Sequence, residues 1–459
     1  MSAPAPAVTQ KPPPWPLLRQ VFGNRRMAAL LLLGFSSGLP LALTAGTLQA
    51  WLTVQGVSLK AIGFATLIGQ AYVFKFLWAP GMDRIHPPLL ARWLGRRRGW
   101  LLLMQAALAA SLGAMALVGI PAPGDAMAWP GLEHAAAALG VAASEMRLVP
   151  VGLLAVAVAF FSASQDIVID AYRTDLLPPE ERGAGAAVAV LGYRMAMLVS
   201  GGLGLWLAAE YLGWRGMYAL MAMLMAVLML ATLFAPPTPG HITPPRSLAA
   251  AVVEPAREFF SRQGAVALLV AIVLYKLGDA FAGALSTTFL IRGAGYTPAE
   301  VGMVYKTMGL ATTIVGALLG GALLARLGLW RALVWFGIAQ GLSNLAYWGL
   351  AVLPSNLLLM GAAVGVENFT GGMGTAAFVA FLSALCDTRF SATQFALLSA
   401  LSAVGRVYVG PATGYLVEAW GWPHFYLFTV VASAPGVLML VWLRRVVETQ
   451  DRLHAPRPQ

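Results

Sequence analysis

The sequence predicts an all-α membrane protein of twelve transmembrane helices, arranged as two six-helix bundles. Three observations carry that expectation. The chain has 459 residues, of which 59% are hydrophobic and only 11% charged, whereas about a quarter of a typical soluble domain is charged. Its mean hydropathy is +0.74. The apolar residues form long continuous runs, such as MAALLLLGFSSGLPLALTAGTLQA at 27–50, not the alternation of a membrane β-barrel. These values exclude a soluble globular enzyme and a disordered chain.

Twelve runs approach the ~20 apolar residues that a membrane-crossing helix needs. They fall at 27–50, 61–82, 100–120, 149–172, 185–210, 216–235, 265–291, 301–324, 332–352, 356–384, 393–417 and 424–443. The first run is too long for a signal-peptide core and reads as a retained helix. The net charge of +11 does not point to nucleic acid, because the basic residues sit in short loops on one side. With the N-terminus inside, the inner segments hold 21 Lys and Arg, and the outer loops hold four: Lys60, Arg147, Arg215 and Arg292. That asymmetry places both termini in the cytoplasm.

The longest polar interruption, 236–264, begins APPTPGHITPPR and reads as a proline-rich linker. REFFSR within it has the make-up of a short interfacial helix. The expected organisation is therefore a tail at 1–26, a bundle at 27–235, the linker, a second bundle at 265–444 and a tail at 445–459. The halves echo each other: GVSLKAIG at 56–63 matches GYTPAEVG at 295–302, and GWRGMY at 213–218 matches GWPHFY at 421–426. Parallel six-helix halves are a transporter plan. Cys386 is the only cysteine, so no intrachain disulfide forms, and the five histidines lie in loops or tails. No metal or cofactor site is expected.

The chemistry rests on charges inside the spans. Asp166 and Asp170 in span 4 are four apart, on one helical face about 6 Å apart along the axis. Ser162 and Thr174 extend that face by a turn each way. Intramembrane carboxylates face the protein interior or a watery cavity and are functional candidates by default. With no histidine in the spans, carboxylates are the available proton carriers: Asp166, Asp170, Asp279 and Glu367. Asp170 has a structural alternative in a pair with Arg173. Lys276 and Asp279, three apart in span 7, have the alternative of neutralising each other. Arg194 and Arg406 fall near the midplane of spans 5 and 11, where a buried arginine needs either an acid or an anionic substrate. Lys75 and Lys306 lie nearer span ends and can snorkel.

Candidate substrate contacts are Gln165, Arg194, Lys276, Asn368, Arg406, Tyr193 and Tyr275. Tyr72 and Tyr305 join the latter two tyrosines as possible sugar-stacking rings, with ordinary packing as the alternative. Pro178-Pro179-Glu180-Glu181 reads as the start of span 5, with the two glutamates as its caps and not catalytic acids. Gly34/Gly38, Gly316/Gly320 and Gly410/Gly414 are small-xxx-small pairs for close helix packing.

PGMDR at 80–84 followed by GRRR at 95–98 resembles the signature loop between spans 2 and 3 of the major facilitator superfamily. An acid among topogenic arginines has no topogenic use, so Asp83, Arg84, Arg173 and Asp175 are candidate gating residues. The second half departs from the motif, with Ala325-Arg326 in place of Asp83-Arg84.

SASQDIVIDAYRTDLLPPEERGAGAAVAVLGYRMAMLVSGGLGLWLA across spans 4 and 5, GFSSGLPLALTAGTLQAWL in span 1, and LWAPGMDR with GRRRGWLL around span 3 resemble the AmpG family of muropeptide permeases. The resemblance covers about residues 25–445. It implies proton-driven import of GlcNAc-1,6-anhydroMurNAc-peptides across the bacterial inner membrane by alternating access, for peptidoglycan recycling and, in some species, β-lactamase induction. On the superfamily plan, spans 1, 4, 7 and 10 line the cavity, nearest Asp166, Lys276, Asp279, Glu367 and Asn368. Some family members carry extra spans; this chain has room for twelve. The implied partners are a muropeptide, protons and the lipid bilayer, with no nucleic acid, and the chain is expected to act as a monomer. Rival readings are an acetyl-coenzyme A carrier of the same fold and a proton-driven drug exporter. The intramembrane charges disfavour the exporter. A polytopic enzyme is disfavoured because the outer loop at 121–148 scatters Asp125, Glu133 and Glu145 without a pattern.

Overall fold

The structure, a computed structural model, describes residues 24–87, 90–120, 146–178, 181–238, 257–261, 264–386 and 391–454. The N-terminal tail to residue 23, most of the outer loop, Glu180 and most of the linker lie outside the described residues. So do the side chains of Asp83, Arg84 and Lys306.

Every described element is helical, as the hydrocarbon core demands of a chain that cannot hydrogen-bond to lipid. We number the helical spans in chain order: α1 Arg25–Val54, α2 59–84, α3 Ala91–Val118, α4 Val149–Leu176, α5 182–212 and α6 Gly213–Phe234. The second half holds α7 Ala265–Gly293, α8 Pro298–Leu327, α9 Leu329–Val352, α10 Leu357–Ala384, α11 391–420 and α12 422–442. These coincide with the twelve sequence runs within a few residues, except that α3 starts at Ala91, nine residues before its run, and is kinked at Gly95.

Not all of them are as uniformly apolar as the sequence pattern suggested. Seven stretches are long and apolar enough to cross a membrane outright. Two of those hold two spans each, divided at Gly213 and Gly421, whose φ values of 65° and 73° turn the chain back. The spans that fall short are α2, α9 and α10. The first is a succession of short helices, and the other two carry Gln340, Asn344, Glu367 and Asn368.

Helix starts follow local chemistry. The Asn24 side chain accepts from the Arg26 N–H at 3.0 Å, and Asn356 caps α10 through the Leu358 N–H. Thr297 and Glu300 form a capping box at α8, with Pro298 in its first turn. Glu181 stands at the N-cap of the first helix of α5 but makes no side-chain cap bond. It lies 3.9 Å from Arg26 instead, so its sequence reading as a cap is corrected to a loose surface ion pair. Only one turn of the expected interfacial helix is described, residues 257–260, with Phe259 buried and Phe260 exposed.

Glycines set how closely the helices approach. On α1, Gly34 and Gly38 rest against the backbone of Ala189 and Tyr193 of α5, and Gly192 returns the contact to Leu31. In the second half, Gly316 and Gly320 of α8 rest on Phe369 and Met373 of α10. The third pair serves a different interface: Gly410 and Gly414 of α11 touch Thr66 and Leu59 of α2.

Each half has its own apolar core. One buried cluster runs from Met27 to Ala235 and another from Phe259 to Val447. A third joins Ala50 and Leu205 to Phe289, Tyr347 and Tyr426, sewing the halves together at the end away from the termini. At the arginine-rich end, Arg25, Arg98 and Tyr172 donate to the carbonyls of Phe234, Ala235 and Pro236, which fixes the exit of α6. A final amphipathic helix, α13 Arg444–His454, tucks Val447 into the second core.

A methyl group on Gly34 would collide with the Ala189 backbone, whereas one on Gly152 would meet nothing within 4 Å. Gly34→Ala is therefore expected to destabilise the protein by about 1–3 kcal/mol and Gly152→Ala to leave it unchanged or slightly more stable. Thermal unfolding of the detergent-solubilised variants checks both.

Candidate functional site: a cavity between the two halves

Helix breaks position the site. In α1 the backbone leaves helical geometry at Ala45 (φ −121°, ψ −109°), and α7 breaks at Lys276 and again at Leu285. Ala45, Lys276 and Ala284, beside these breaks, all line one cavity of about 700 Å³. Irregular backbone at membrane depth is tolerated where it borders a cavity, and broken helices mark the binding sites of many transporters. The size falls in the usual range for small-molecule sites.

Thr44, Gln49 and Leu48 come from α1, and Thr66 and Tyr72 from α2. Lys276 and Asp279 come from α7, and Gln340 from α9. Glu367, Asn368, Thr375 and Phe378 come from α10, and Ser399, Ser402 and Arg406 from α11. The expected quartet of spans 1, 4, 7 and 10 is thus corrected: α4 contributes no lining residue, while α2 and α11 do. The reason is that Tyr72 and its neighbours on α2 lie between α4 and the cavity.

Lys276 Nζ sits 3.4 Å from Asp279 Oδ2 and 3.5 Å from Gln340 Oε1, and 5.6 Å from the ring centres of both Tyr275 and Phe378. Those rings stack at 5.4 Å. Tyr275 is buried and donates to the Leu333 carbonyl, so it supports Phe378 and does not itself line the cavity. Glu367 accepts from Asn368 Nδ2 at 2.7 Å, and Thr313 donates to Asn368 Oδ1. Arg406 reaches into the cavity and, among the described residues, makes no ion pair.

Asp166 lies behind this wall. It accepts from Ser37 Oγ at 2.5 Å and faces Lys75 Nζ at 4.0 Å, so Lys75 pairs with it and the snorkelling reading is corrected. Gln165 is fully buried and accepts from Ser36. Asp170 is 59% exposed and pairs with Arg173 at 3.2 Å, away from the cavity lining. Asp175 binds Arg97 of α3 at 2.7 Å, each 9% exposed, which ties α3 to α4 within one half. Arg194 is exposed, with only the Met197 sulfur in reach among the described residues, so it is not the buried midplane arginine of the sequence reading. Tyr193 is half-buried and faces Asp166, Arg194 and Arg406. Asp83 and Arg84 close the last helix of α2, but their side chains are not described.

At the end away from the termini the halves are bonded together. Arg292 donates to the carbonyls of Thr53 at 2.8 Å and Val57 at 2.9 Å. Gln49 Nε2 donates to Ala284 O at 2.7 Å and Thr53 Oγ1 to Thr288 Oγ1 at 2.9 Å. Lys60 pairs with Glu418 at 3.0 Å and lies over the Tyr415 ring. The cavity lining extends the other way, to Leu382 and Phe395, near the ends of α10 and α11 at the arginine-rich side. Sequence reasoning missed Gln49, Gln340, Phe378, Ser399 and Ser402. The two glutamines were visible as amides within apolar runs; the others carried no signal.

Residues 135–406 match the family model described as Major Facilitator Superfamily, and residues 26–212 match one described as Acetyl-coenzyme A transporter 1. The chain is 57% identical over 94% of its length to the anhydromuropeptide permease of Escherichia coli K12, of which it covers 82%. This chain belongs to the AmpG family of the major facilitator superfamily. It is also 32% identical to a putative transporter AmpG 4 of Rickettsia felis, over 94% of this chain and 99% of that one. Among solved structures it resembles a bacterial homologue of the lysosomal transporter Spinster, with a TM-score of 0.69 over 93% of this chain and 97% of that one, at 15% identity. That likeness shows the fold. As an AmpG-family member with this fold, the chain is a multi-pass membrane transporter.

The Lys276–Asp279 pair gives a direct test of the site's electrostatics. Lys276→Met or Asp279→Leu alone leaves a half-buried charge without its partner and lowers stability. The double variant is expected to lose less than the sum of the two, with an interaction energy of about 1–3 kcal/mol in a double-mutant cycle. Thermal unfolding of all four proteins measures it.

Proposed function

We propose that this transporter carries anhydro-muropeptides together with protons, from periplasm to cytoplasm, across the bacterial inner membrane. The observation that carries the reading is the make-up of the cavity. One wall offers amides and hydroxyls (Gln49, Thr44, Thr66), and the other offers Arg406, a cation that makes no ion pair among the described residues, and the Phe378 ring. That set suits a ligand with sugar hydroxyls, N-acetyl groups and a peptide carboxylate, since a guanidinium binds carboxylate bidentately. The E. coli relative, 57% identical, bears the name anhydromuropeptide permease.

On the orientation set by the basic residues, both termini are cytoplasmic and each half forms one rocking bundle, with 236–264 as the linker. The bonded end is then the periplasmic gate, and the cavity opens inward. Alternating access follows if cargo and proton together favour one closed end over the other. Asp166, with its counter-ion Lys75, and Glu367, in the cavity wall, are the proton-carrying candidates. One chain holds both halves, so a monomer suffices. A coenzyme A thioester is the second reading, favoured by the match over residues 26–212.

Uptake of labelled GlcNAc-anhydroMurNAc-tripeptide into proteoliposomes, with and without an inward proton gradient, tests the reading. Accumulation that follows the gradient and collapses with an uncoupler supports it; uptake indifferent to the gradient removes the proton. Competition by unlabelled acetyl-coenzyme A, without competition by unlabelled muropeptide, would transfer the cargo assignment. Arg406→Gln is expected to raise the KM for peptide-bearing cargo about ten-fold or more, the loss of one charge-assisted contact, with a smaller effect on the free disaccharide. Asp166→Asn is expected to abolish gradient-driven accumulation.

A further inference from the structure

Among the described residues, the charged side chains lining the cavity are Lys276 and Asp279 of α7, Glu367 of α10 and Arg406 of α11. All belong to the second half; the lining residues of α1 and α2 carry no charge. Two cations and two acids leave the wall neutral. Their arrangement is uneven, however. Lys276 Nζ lies 3.4 Å from Asp279 Oδ2, so these two are matched. Arg406 faces Asp279, and Glu367 faces both members of the pair, yet neither Arg406 nor Glu367 makes an ion pair among the described residues. Glu367 accepts instead from the neutral Asn368 Nδ2, through Oε2 at 2.7 Å. Thr313 and the Val364 carbonyl hold that amide in place. The remaining titratable groups facing Glu367 are Tyr305 of α8, Tyr347 of α9 and Tyr426 of α12, phenols that carry no charge near neutral pH.

We propose that this charge balance links the two solutes: when a cargo carboxylate binds Arg406, Glu367 takes up one proton. The proposal deepens the reading of the cavity as a muropeptide site and rests on it. A carboxylate on Arg406 offsets that cation and leaves the wall with one negative charge in excess. A carboxylate with like charge nearby favours its protonated form. Asp279 keeps Lys276 as its counter-ion, so the proton falls to Glu367, and to Oε1, since Oε2 is occupied by Asn368. A hydronium ion in the cavity supplies it: one O–H bond breaks, one forms on the glutamate, and water is left. Release runs the same step backward. Linkage makes the effect reciprocal, so protonation of Glu367 tightens the grip on the carboxylate by the same factor. A cargo without a carboxylate brings no proton by this route. The step belongs to binding and is separate from the translocation step proposed for Asp166.

The test reads binding to the full chain, purified in detergent. Its probes are GlcNAc-anhydroMurNAc-Ala-Glu, whose only titratable groups are two carboxylates, and the same molecule with both converted to carboxamides. Proton uptake is followed with a pH indicator in weakly buffered solution at about pH 8, and Kd is measured between about pH 6 and 9, where the probe carboxylates stay ionised. About one proton is expected per acidic probe bound and none with the diamide. The Kd of the acidic probe is expected to rise with pH, by about ten-fold per unit at the alkaline end, the slope of one linked proton, while that of the diamide stays flat. Glu367→Gln is expected to bind the acidic probe with no proton uptake and no pH dependence. Arg406→Gln is expected to weaken the acidic probe about ten-fold and to remove the uptake. Binding of the acidic probe without proton uptake, uptake that persists in Glu367→Gln, or equal uptake with both probes overturns the linkage and leaves the cargo reading standing. Should a variant fail to fold, the unsubstituted protein still decides, because parallel pH profiles for the two probes overturn the linkage. Folded protein that binds neither probe overturns the muropeptide reading and the linkage with it.

Discussion

A charge inside a membrane survives only with a partner, and the polar interior of this protein is organised around that constraint. Taking an ion out of water costs several kcal/mol even after relaxation, so Asp166 is held by Ser37 and Lys75, and Asp279 by Lys276 and Gln340. Each pair joins residues that the apolar packing has already brought close. Glycines on α1 and α5 bring those helices into backbone contact, and α2 and α4 meet beside them. The breaks in α1 and α7 fall where backbone can face a cavity and not lipid, which is the one place a membrane protein tolerates them.

The two halves share this logic but apply it differently. In the first, the acid is set back from the cavity, beside Lys75 of α2. In the second, Lys276, Asp279, Glu367 and Asn368 stand in the cavity wall itself. A paired ammonium and carboxylate in the wall offset each other's charge, whereas Arg406 lines the same cavity with no ion pair among the described residues. The stacked Tyr275 and Phe378 rings flank the Lys276 ammonium as well, each at 5.6 Å.

Much of this architecture was legible in the sequence because hydrocarbon is a demanding solvent. Twelve apolar runs gave twelve helices within a few residues, and the Lys276–Asp279 and Asp170–Arg173 pairs appeared at the spacing that suggested them. The placement of Asp166 beside Lys75 was not legible, since those residues are 91 positions apart and only the packing of α2 on α4 joins them. The lining by α2 and α11 was hidden for a related reason. Gly410 and Gly414 read as one more small-residue pair, and nothing local says that their partner is Thr66 and Leu59 of the other half. Arg194 misled because its depth in the span says nothing of the direction its side chain takes. The break at Lys276 occurs without proline or glycine at the break, whereas Ala45 is followed directly by Gly46, a signal that the long apolar run conceals.

Arg292 binds backbone, and this shapes what it would cost to part the halves at the end away from the termini. Thr53 lies in the last turn of α1 and Val57 just beyond it, so Arg292 holds one helix-end carbonyl, which also accepts from the Gly56 N–H, and one loop carbonyl. Were the halves to part there, water could take over those oxygens, and the guanidinium would emerge into the same water with no acid of its own left stranded behind it. Breaking the latch therefore exchanges one set of hydrogen bonds for another of similar worth, and the net cost is far below the sum of the contacts seen.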